Sequence, residues 1–471
     1  MYGITIDKSS SRSVTRQICE QLRNLIESGT LEGGTRLPPT RELATEWSIA
    51  RNVVIDVYEQ LTAEGYLEGR VGSGTYVASG IMPMFRDIRS GLTMKNQETL
   101  RAESSETDII SFRTGVPELE LFPKAQWAKC MRDAAFQDLD ISDGYGEIAG
   151  DLLLREVIRD YVFRAKGIRC SEDQIIIVSG ASEGILLTAK AMSDSFHSVY
   201  LEDPTISFTA DIFSMMNYEL VPVEVDQNGM NLDPIDSFEP GHLVMLTPSH
   251  QYPTGSLLSI QRRLKAIRMA QDAGAYIIED DYDSEFRLKG VPVPPLHTLS
   301  PSRVIYAGTF SKTMTPSLRI GFIIVPPDLI GKICEAKEKL NLYTPVIAQR
   351  ALSQFIQGGL LERHIHTMKQ VYKKRRSLLK ECLRQAFGNG ISILGDEAGM
   401  HLQVLFHSDE GAMELDWRNT QSYGFLVERI DSYNLTDRTK RQGIVLGYGN
   451  LSEARIKEGI RRLQQYVEAH Q

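Results

Sequence analysis

Lys312 lies in the segment GTFSKTMTPSLRIG, residues 308–321, with Ser311 beside it and Arg319 seven residues on. A lysine in an enclosed loop can form a Schiff base with an aldehyde, and a serine and an arginine close by can hold a phosphate. Asp280 ends an apolar run and can contact a ring nitrogen and keep it protonated, the electrostatic task set by a cofactor that works as an electron sink. Ser179, Gly180, Ala181 and Ser182 put small residues and free amides where a helix would start, which makes an anion site. Each feature has a plainer reading alone: Lys312 as a surface lysine, Asp280 as a helix cap, residues 179–182 as an ordinary loop. Their order after successive apolar runs outweighs those readings.

The runs that must position these residues read as short buried strands at 174–178, 197–201, 242–246, 275–279, 304–307 and 321–325. Alternating with helical stretches, they predict an α/β domain with a mostly parallel sheet covered by helices on both faces. In such sheets ligands bind beyond the carboxyl ends of the strands, where the polar residues above gather.

The N-terminal segment has a different rhythm. Val14, Ile18, Leu22, Leu25 and Ile26 recur at helical spacing over 14–27, with Gly29 as a stop. A short second helix is predicted over 41–47, approached through Pro38 and Pro39 and capped by Thr40. A third runs from 51 to about 63 and carries Val54, Val57, Tyr58 and Leu61 on one face. Residues 66–68 and 75–77 can then pair as a hairpin across Arg70, Val71, Gly72, Ser73 and Gly74. In a helix-turn-helix the second helix of the pair enters the major groove, which would bring Arg51 and Asn52 to base edges or phosphates and Arg70 to the backbone. From the pattern alone a packing or protein-interaction module is an equal reading.

A chain of 471 residues with 42% hydrophobic content needs two or more folded domains. Its net charge is -9, and lysine and arginine in the N-terminal segment are matched by Asp and Glu, so any affinity for nucleic acid must come from where the arginines sit. The first residues carry no unbroken apolar run, and no stretch approaches the roughly 18 apolar residues that span a bilayer, so a soluble cytoplasmic protein without membrane contact is expected. Cys19, Cys130, Cys170, Cys334 and Cys382 show no metal-ligand spacing and read as buried thiols; no metal is expected. Residues 79–107 lack a clean period and read as a linker between 1–78 and 108–471.

The stretch LPPTRELATEWSIARNVVIDVYEQLTAEGYLEGRVGSGTYVA resembles the winged helix-turn-helix of GntR-type bacterial regulators. That resemblance implies DNA contacts from Arg41, Arg51 and the Gly72, Ser73, Gly74 wing, with Ala50 standing where the family usually has a Ser cap. Residues 108–471 resemble the fold-type-I aminotransferases, through VSGASEG from Val178, EDP from Glu202, TPSHQYPTG from Thr247, IEDDYDSEF from Ile278, the lysine segment and GYGNLSEARIKEGIRRL from Gly447. The combination resembles the MocR subfamily. It implies pyridoxal 5'-phosphate as cofactor, with an aldimine at Lys312, Asp280 at the pyridine nitrogen, Tyr282 near the ring hydroxyl, and Arg319, Ser311, Ala181 and Ser182 around the phosphate. Tyr252 joins the cofactor-binding set, Tyr145 would reach the site of a partner subunit, and a smaller α+β subdomain would lie mainly within 345–471.

Three departures bear on function. Ile206 stands where the family commonly stacks an aromatic over the ring, leaving Phe208 to compensate; Tyr252 replaces the usual Asn before Pro-Thr-Gly; and Val445 replaces the arginine that clamps substrate carboxylate in many aminotransferases, leaving Arg441 as a substitute. The expectation is a head-exchanged homodimer that binds double-stranded promoter DNA and senses the cofactor or a small amino compound, with no efficient turnover. The alternative is an active aminotransferase carrying an accessory DNA-binding head.

Overall fold

A computed structural model describes residues 2–7, 10, 12–70, 72–79, 109–136, 146–288, 290, 293–408, 411–412, 415–436 and 443–470. These fall into two compact units, one within Met1–Ser105 and the other within Glu106–Gln471. No helix among the described residues is long and apolar enough to cross a membrane.

The first unit contains α1 (Val14–Glu27), α2 (Thr40–Glu46), α3 (Arg51–Ala63), β1 (Leu67–Arg70) and β2 (Gly74–Val77). Ile18, Cys19, Leu22 and Ile26 of α1 pack with Leu43 of α2 and with Val54, Val57 and Leu61 of α3, so the helical stripe read from the sequence is the core. The hairpin pairs Leu67 with Val77 and Arg70 with Gly74. Arg23 and Glu64 tie the ends of α1 and α3 together at 2.6 Å. The cap expected at Thr40 is not made: Pro39 precedes the helix, Thr40 is already its first residue, and the Thr40 hydroxyl instead accepts from Arg51 Nε at 3.3 Å. With Pro39 supplying an extended φ/ψ ahead of the helix, the cap position passes to a residue without a side-chain acceptor.

The second unit continues with β3 (Ile110–Ser111), α4 (Lys124–Phe136), α5 (Leu152–Lys166), β4 (Ile175–Val178), α6 (Ala181–Met192), β5 (Ser198–Asp203), α7 (Ser207–Met215), β6 (Glu219–Asp226), β7 (Gly229–Met230) and β8 (His242–Leu246). After these come α8 (Ile260–Ala273), β9 (Tyr276–Asp281), β10 (Val304–Thr309), β11 (Gly321–Ile324), α9 (Ile330–Leu340), α10 (Val346–Gln357) and the long α11 (Leu360–Phe387). The C-terminal part adds β12 (Ile391–Leu394), β13 (His401–Ser408), β14 (Gly411–Ala412), β15 (Phe425–Leu426), β16 (Glu428–Arg429), β17 (Ile444–Gly447) and α12 (Glu453–His470).

The main sheet has the order β4-β11-β10-β9-β8-β5-β6-β7. Neighbours from β10 to β6 run parallel, whereas β11 is antiparallel to both β10 and β4. Period-two alternation sorts the strand side chains between layers. Ile175 and Ile177 join one apolar cluster, Ile176 and Val178 the other. The strand β6 is absent from the sequence reading. It carries Pro222 and has several exposed positions, and proline within a run argues against a strand unless that strand lies toward an edge, as this one does. The smaller sheet has the order β12-β13-β17-β16, with β14 pairing off β13. The thiols of Cys19 and Cys130 are buried, but those of Cys170, Cys334 and Cys382 only partly.

Candidate functional site

The loops after β4, β9 and β10 meet at the carboxyl ends of the strands and line one cavity of about 360 Å³. On β9, Tyr276 and Ile278 pack toward the layer that contains α6, and Asp280 continues that face; Ile277 packs the other way. Alternation therefore delivers Asp280 to the cavity and sends Asp281 to the far side, where it binds Lys166 Nζ at 2.8 Å and Tyr306 Oη at 2.6 Å.

Asp280 is buried, and its Oδ1 has no hydrogen-bond partner. Burial, with the neighbouring Asp281 charge, pushes its pKa up to about 7, while Lys312 opposes the shift. A cationic ring N–H is the partner such an acceptor lacks. Lys312 donates from Nζ to the Gly115 carbonyl at 3.0 Å, and burial holds its pKa below the usual lysine range. Burial thus favours the neutral, nucleophilic amine needed for condensation with an aldehyde.

At the phosphate end, α6 begins after Gly180, which has φ 120° and offers no side-chain cap. The Arg319 guanidinium lies over this turn: a Cβ at Gly180 would sit 3.3 Å from both of its terminal nitrogens. Arg319 itself adopts the left-handed region at φ 51°. Free helix amides, a guanidinium and the Ser311 and Thr309 hydroxyls, which are 3.1 Å apart, make a cradle suited to a phosphate dianion. The donor set fits pyridoxal phosphate at its aldehyde, its ring nitrogen and its phosphate.

Ala181, Ser182, Tyr252, Asp280, Tyr282, Ser311, Lys312, Arg319 and Phe208 are thus brought together in one cavity, with Ile206 beside Phe208. Tyr145 and Arg441 lie outside the described residues. Tyr282 places its hydroxyl 3.1 Å from His250 Nδ1, and the same nitrogen lies 3.0 Å from Asp283. His250, Asp283 and His401 bring potential ligand atoms within 4.8 Å of one another, but the His250–Asp283 spacing is that of a hydrogen bond.

Sequence reasoning missed the opposite wall, which consists of Arg113, Thr114, His401, Glu428 and Tyr433. Glu428 Oε2 accepts from Thr114 Oγ1 at 2.6 Å, Tyr252 Oη at 3.0 Å and Tyr433 Oη at 2.6 Å; its Oε1 accepts from the Thr114 amide at 3.2 Å. Burial, then the Glu428 charge, holds the Tyr252 and Tyr433 phenols well above the ordinary range, so both remain proton donors. No motif announces Glu428, because only Tyr433 is near it in the chain, while Tyr252 and Thr114 lie 176 and 314 positions away.

On the first unit, Arg41, Arg51, Asn52, Gly72, Ser73 and Gly74 are exposed, with Arg51 and Asn52 opening α3. The helix has no side-chain cap at Ala50. Arg70 is also exposed, but it is bound to Glu68 at 2.7 Å and lies 4.4 Å from the centre of the Tyr76 ring.

Residues 107–460 match the aminotransferase class I and II family, and residues 14–77 match the bacterial regulatory proteins of the gntR family. The chain is 33% identical over 472 residues to a probable rhizopine catabolism regulatory protein, MocR, of Rhizobium meliloti, covering 98% of this chain and 95% of that protein. It is 29% identical to the HTH-type pyridoxine biosynthesis transcriptional regulator PdxR of Corynebacterium glutamicum, with 96% of each chain covered. A multiple substrate aminotransferase from Thermococcus profundus superposes with a TM-score of 0.70 at 26% identity, covering 80% of this chain and 96% of that one.

Proposed function

From the premise that this chain belongs to the MocR-type transcription regulators, which join a GntR helix-turn-helix to a pyridoxal-phosphate-dependent aminotransferase-like unit, we propose that it reads cofactor loading, or a small amine at the cofactor, into a change in promoter binding. The observation that carries this reading is the grouping of Lys312, the unpartnered Asp280 acceptor and Arg319 around one cavity. When bound, the cofactor supplies an aldehyde that condenses with amines and a ring that draws electrons.

The chain's own residues then divide the work. Lys312 offers its amine. Asp280 holds a proton at the ring nitrogen. Arg319, Ser311 and the amides of Ala181 and Ser182 grip the phosphate, Tyr282 stands at the ring hydroxyl with His250 and Asp283 behind it, and Tyr252 joins the cofactor wall to Glu428. Phe208 and Ile206 line the same cavity and would flank the ring. Arg41, Arg51, Asn52, Arg70 and the 72–74 wing contact DNA, with the Arg70–Glu68 pair opening to release the guanidinium.

Two DNA-binding heads on a cytoplasmic homodimer, each carried by a subunit with its own cofactor cavity, would read paired half-sites. A ligand shifts their arrangement only through unequal affinity for the alternatives. The test is promoter binding by the full chain with and without pyridoxal phosphate, together with the visible absorbance of the loaded protein. Absorbance and a borohydride-fixed adduct at Lys312, both lost in Lys312→Ala, are expected along with a cofactor-dependent change in DNA affinity. Equal DNA affinity at every cofactor concentration, and in the loaded protein with and without a panel of small amines, would overturn the proposal.

A further inference from the structure

The wall facing Lys312 carries an anion where amino-acid-binding sites of this fold carry a cation. Val445, which takes the place of the carboxylate-clamping arginine, is fully buried in β17, and its register partner on the adjacent antiparallel strand is Glu428. Residues directly opposite on antiparallel strands share a face, so the side chain presented there ends in a carboxylate.

Four donors orient this carboxylate, from Thr114, Tyr252 and Tyr433, yet every one of them is neutral. Among the described residues no Lys or Arg pairs with Glu428. The described cations of the cavity are Lys312, Arg319 at the phosphate end, and Arg113, which is exposed. Burial, then the neighbouring His250, keeps His401 uncharged.

The spacing is also set. Lys312 Nζ binds the carbonyl of Gly115, and Glu428 binds the amide and hydroxyl of Thr114, so one dipeptide separates amine from carboxylate. Adjacent residues are about 4 Å apart, so a tail of roughly two to four carbons on a ligand amine covers the gap.

We propose that the effector is a short polar amine without a carboxylate, an amino alcohol or a diamine, whose second hydroxyl or ammonium donates to Glu428. This rests on the reading of the cavity as a cofactor-based amine sensor. The remaining Oε1 lone pair takes that donor, and a ligand carboxylate at the same place would meet like charge. Exchange is balanced without an oxidant: the incoming amine forms the double bond to the aldehyde carbon as the Lys312 bond breaks, and the two hydrogens it gives up pass to Nζ, which leaves as the free amine.

The experiment uses the full chain loaded with pyridoxal phosphate and three probes of matched length, 3-aminopropanol, 1,3-diaminopropane and β-alanine, titrated against the cofactor's visible band and by calorimetry. The amino alcohol and the diamine are expected to act at concentrations at least about tenfold below β-alanine, a difference of about 1.4 kcal/mol. Glu428→Gln should shrink that gap to about twofold, chiefly by weakening the diamine. Equal or better binding of β-alanine overturns the inference, as does an unchanged preference in Glu428→Gln. The wild-type ranking decides the matter even if the variant does not fold. A protein with no visible band overturns the inference together with the reading it rests on, whereas a band with reversed preference overturns the inference alone.

Discussion

Lys312 Nζ lies 3.0 Å from the carbonyl oxygen of Gly115, and a Cβ on Gly115 would sit 2.6 Å from that nitrogen. Gly115 has φ +68°, so alanine there meets both a backbone penalty of roughly 1–2 kcal/mol and a collision with the reactive amine. Gly115→Ala should lower thermal stability and displace Lys312, reducing covalent cofactor attachment. Gly167, with φ +73° and open space within 4 Å of where a Cβ would point, provides the control: Gly167→Ala should cost similar stability and leave the absorbance of the loaded protein unchanged.

Asp280→Asn removes the charge expected at the ring nitrogen. Hydrogen bonds to charged groups contribute about 1.5–3 kcal/mol, so the cofactor dissociation constant should rise roughly ten- to a hundredfold. Spectrophotometric titration measures it. Asp280 also helps to hold the Lys312 proton, so the variant's free amine should titrate at lower pH than the wild type's. An unchanged affinity would remove Asp280 from the cofactor contacts.

Arg51 opens α3 and is exposed, with its Nε on the Thr40 hydroxyl. Arg51→Ala should weaken binding to the region upstream of the protein's own gene by about 1–3 kcal/mol if the contact is to a base, and reduce the salt slope by about one if it is to a phosphate. Anisotropy titrations at several salt concentrations separate the two. The α1–α3 core is untouched, so thermal stability should stay within about 0.5 kcal/mol.

Burial holds Glu202, Glu279 and Asp280 at pKa values of about 7, each above its unfolded value. For a carboxylate raised on folding, the folded state binds the proton more tightly. Its contribution is therefore greatest below the unfolded pKa, near 4, and declines as pH rises toward 7. At His250 burial acts to lower the pKa, but the Asp283 charge and hydrogen bond outweigh it and the net shift is upward, so its contribution is lost over the same direction of pH change. Burial holds His297 and His401 below the ordinary histidine range, and these act in the opposite sense, so the carboxylate contribution between pH 5.5 and pH 8 is read as a difference between a variant and the wild type. In Glu202→Gln the decline should flatten by up to about 1.4 kcal/mol per pH unit between those limits, as read from urea midpoints.

Much of this arrangement was legible before any coordinates. The extents of α1 and α3 follow from helical apolar stripes, and β8 from an unbroken apolar run bounded by polar residues. Asp280 could be singled out from the run of acids after Ile278, since only one phase of a two-residue alternation reaches the ligand edge. What escaped was set by tertiary context. Pro222 disguised β6, a proline took the place of the α2 cap, and Thr114 meets Glu428 across more than 300 positions without a local signature.

The antiparallel strand β11 lies between β4 and β10. Residues 175–178 therefore wait for partners that the ribosome delivers nearly 150 residues later, at 321–324. Arg319 arrives on the same stretch, two positions ahead of β11. The anion cradle and the closing of the sheet are thus one event in the life of a nascent chain. Until that insertion occurs, two apolar strand edges stand open to aggregation, and a phosphate ester that binds on arrival would favour the closed sheet over the open one.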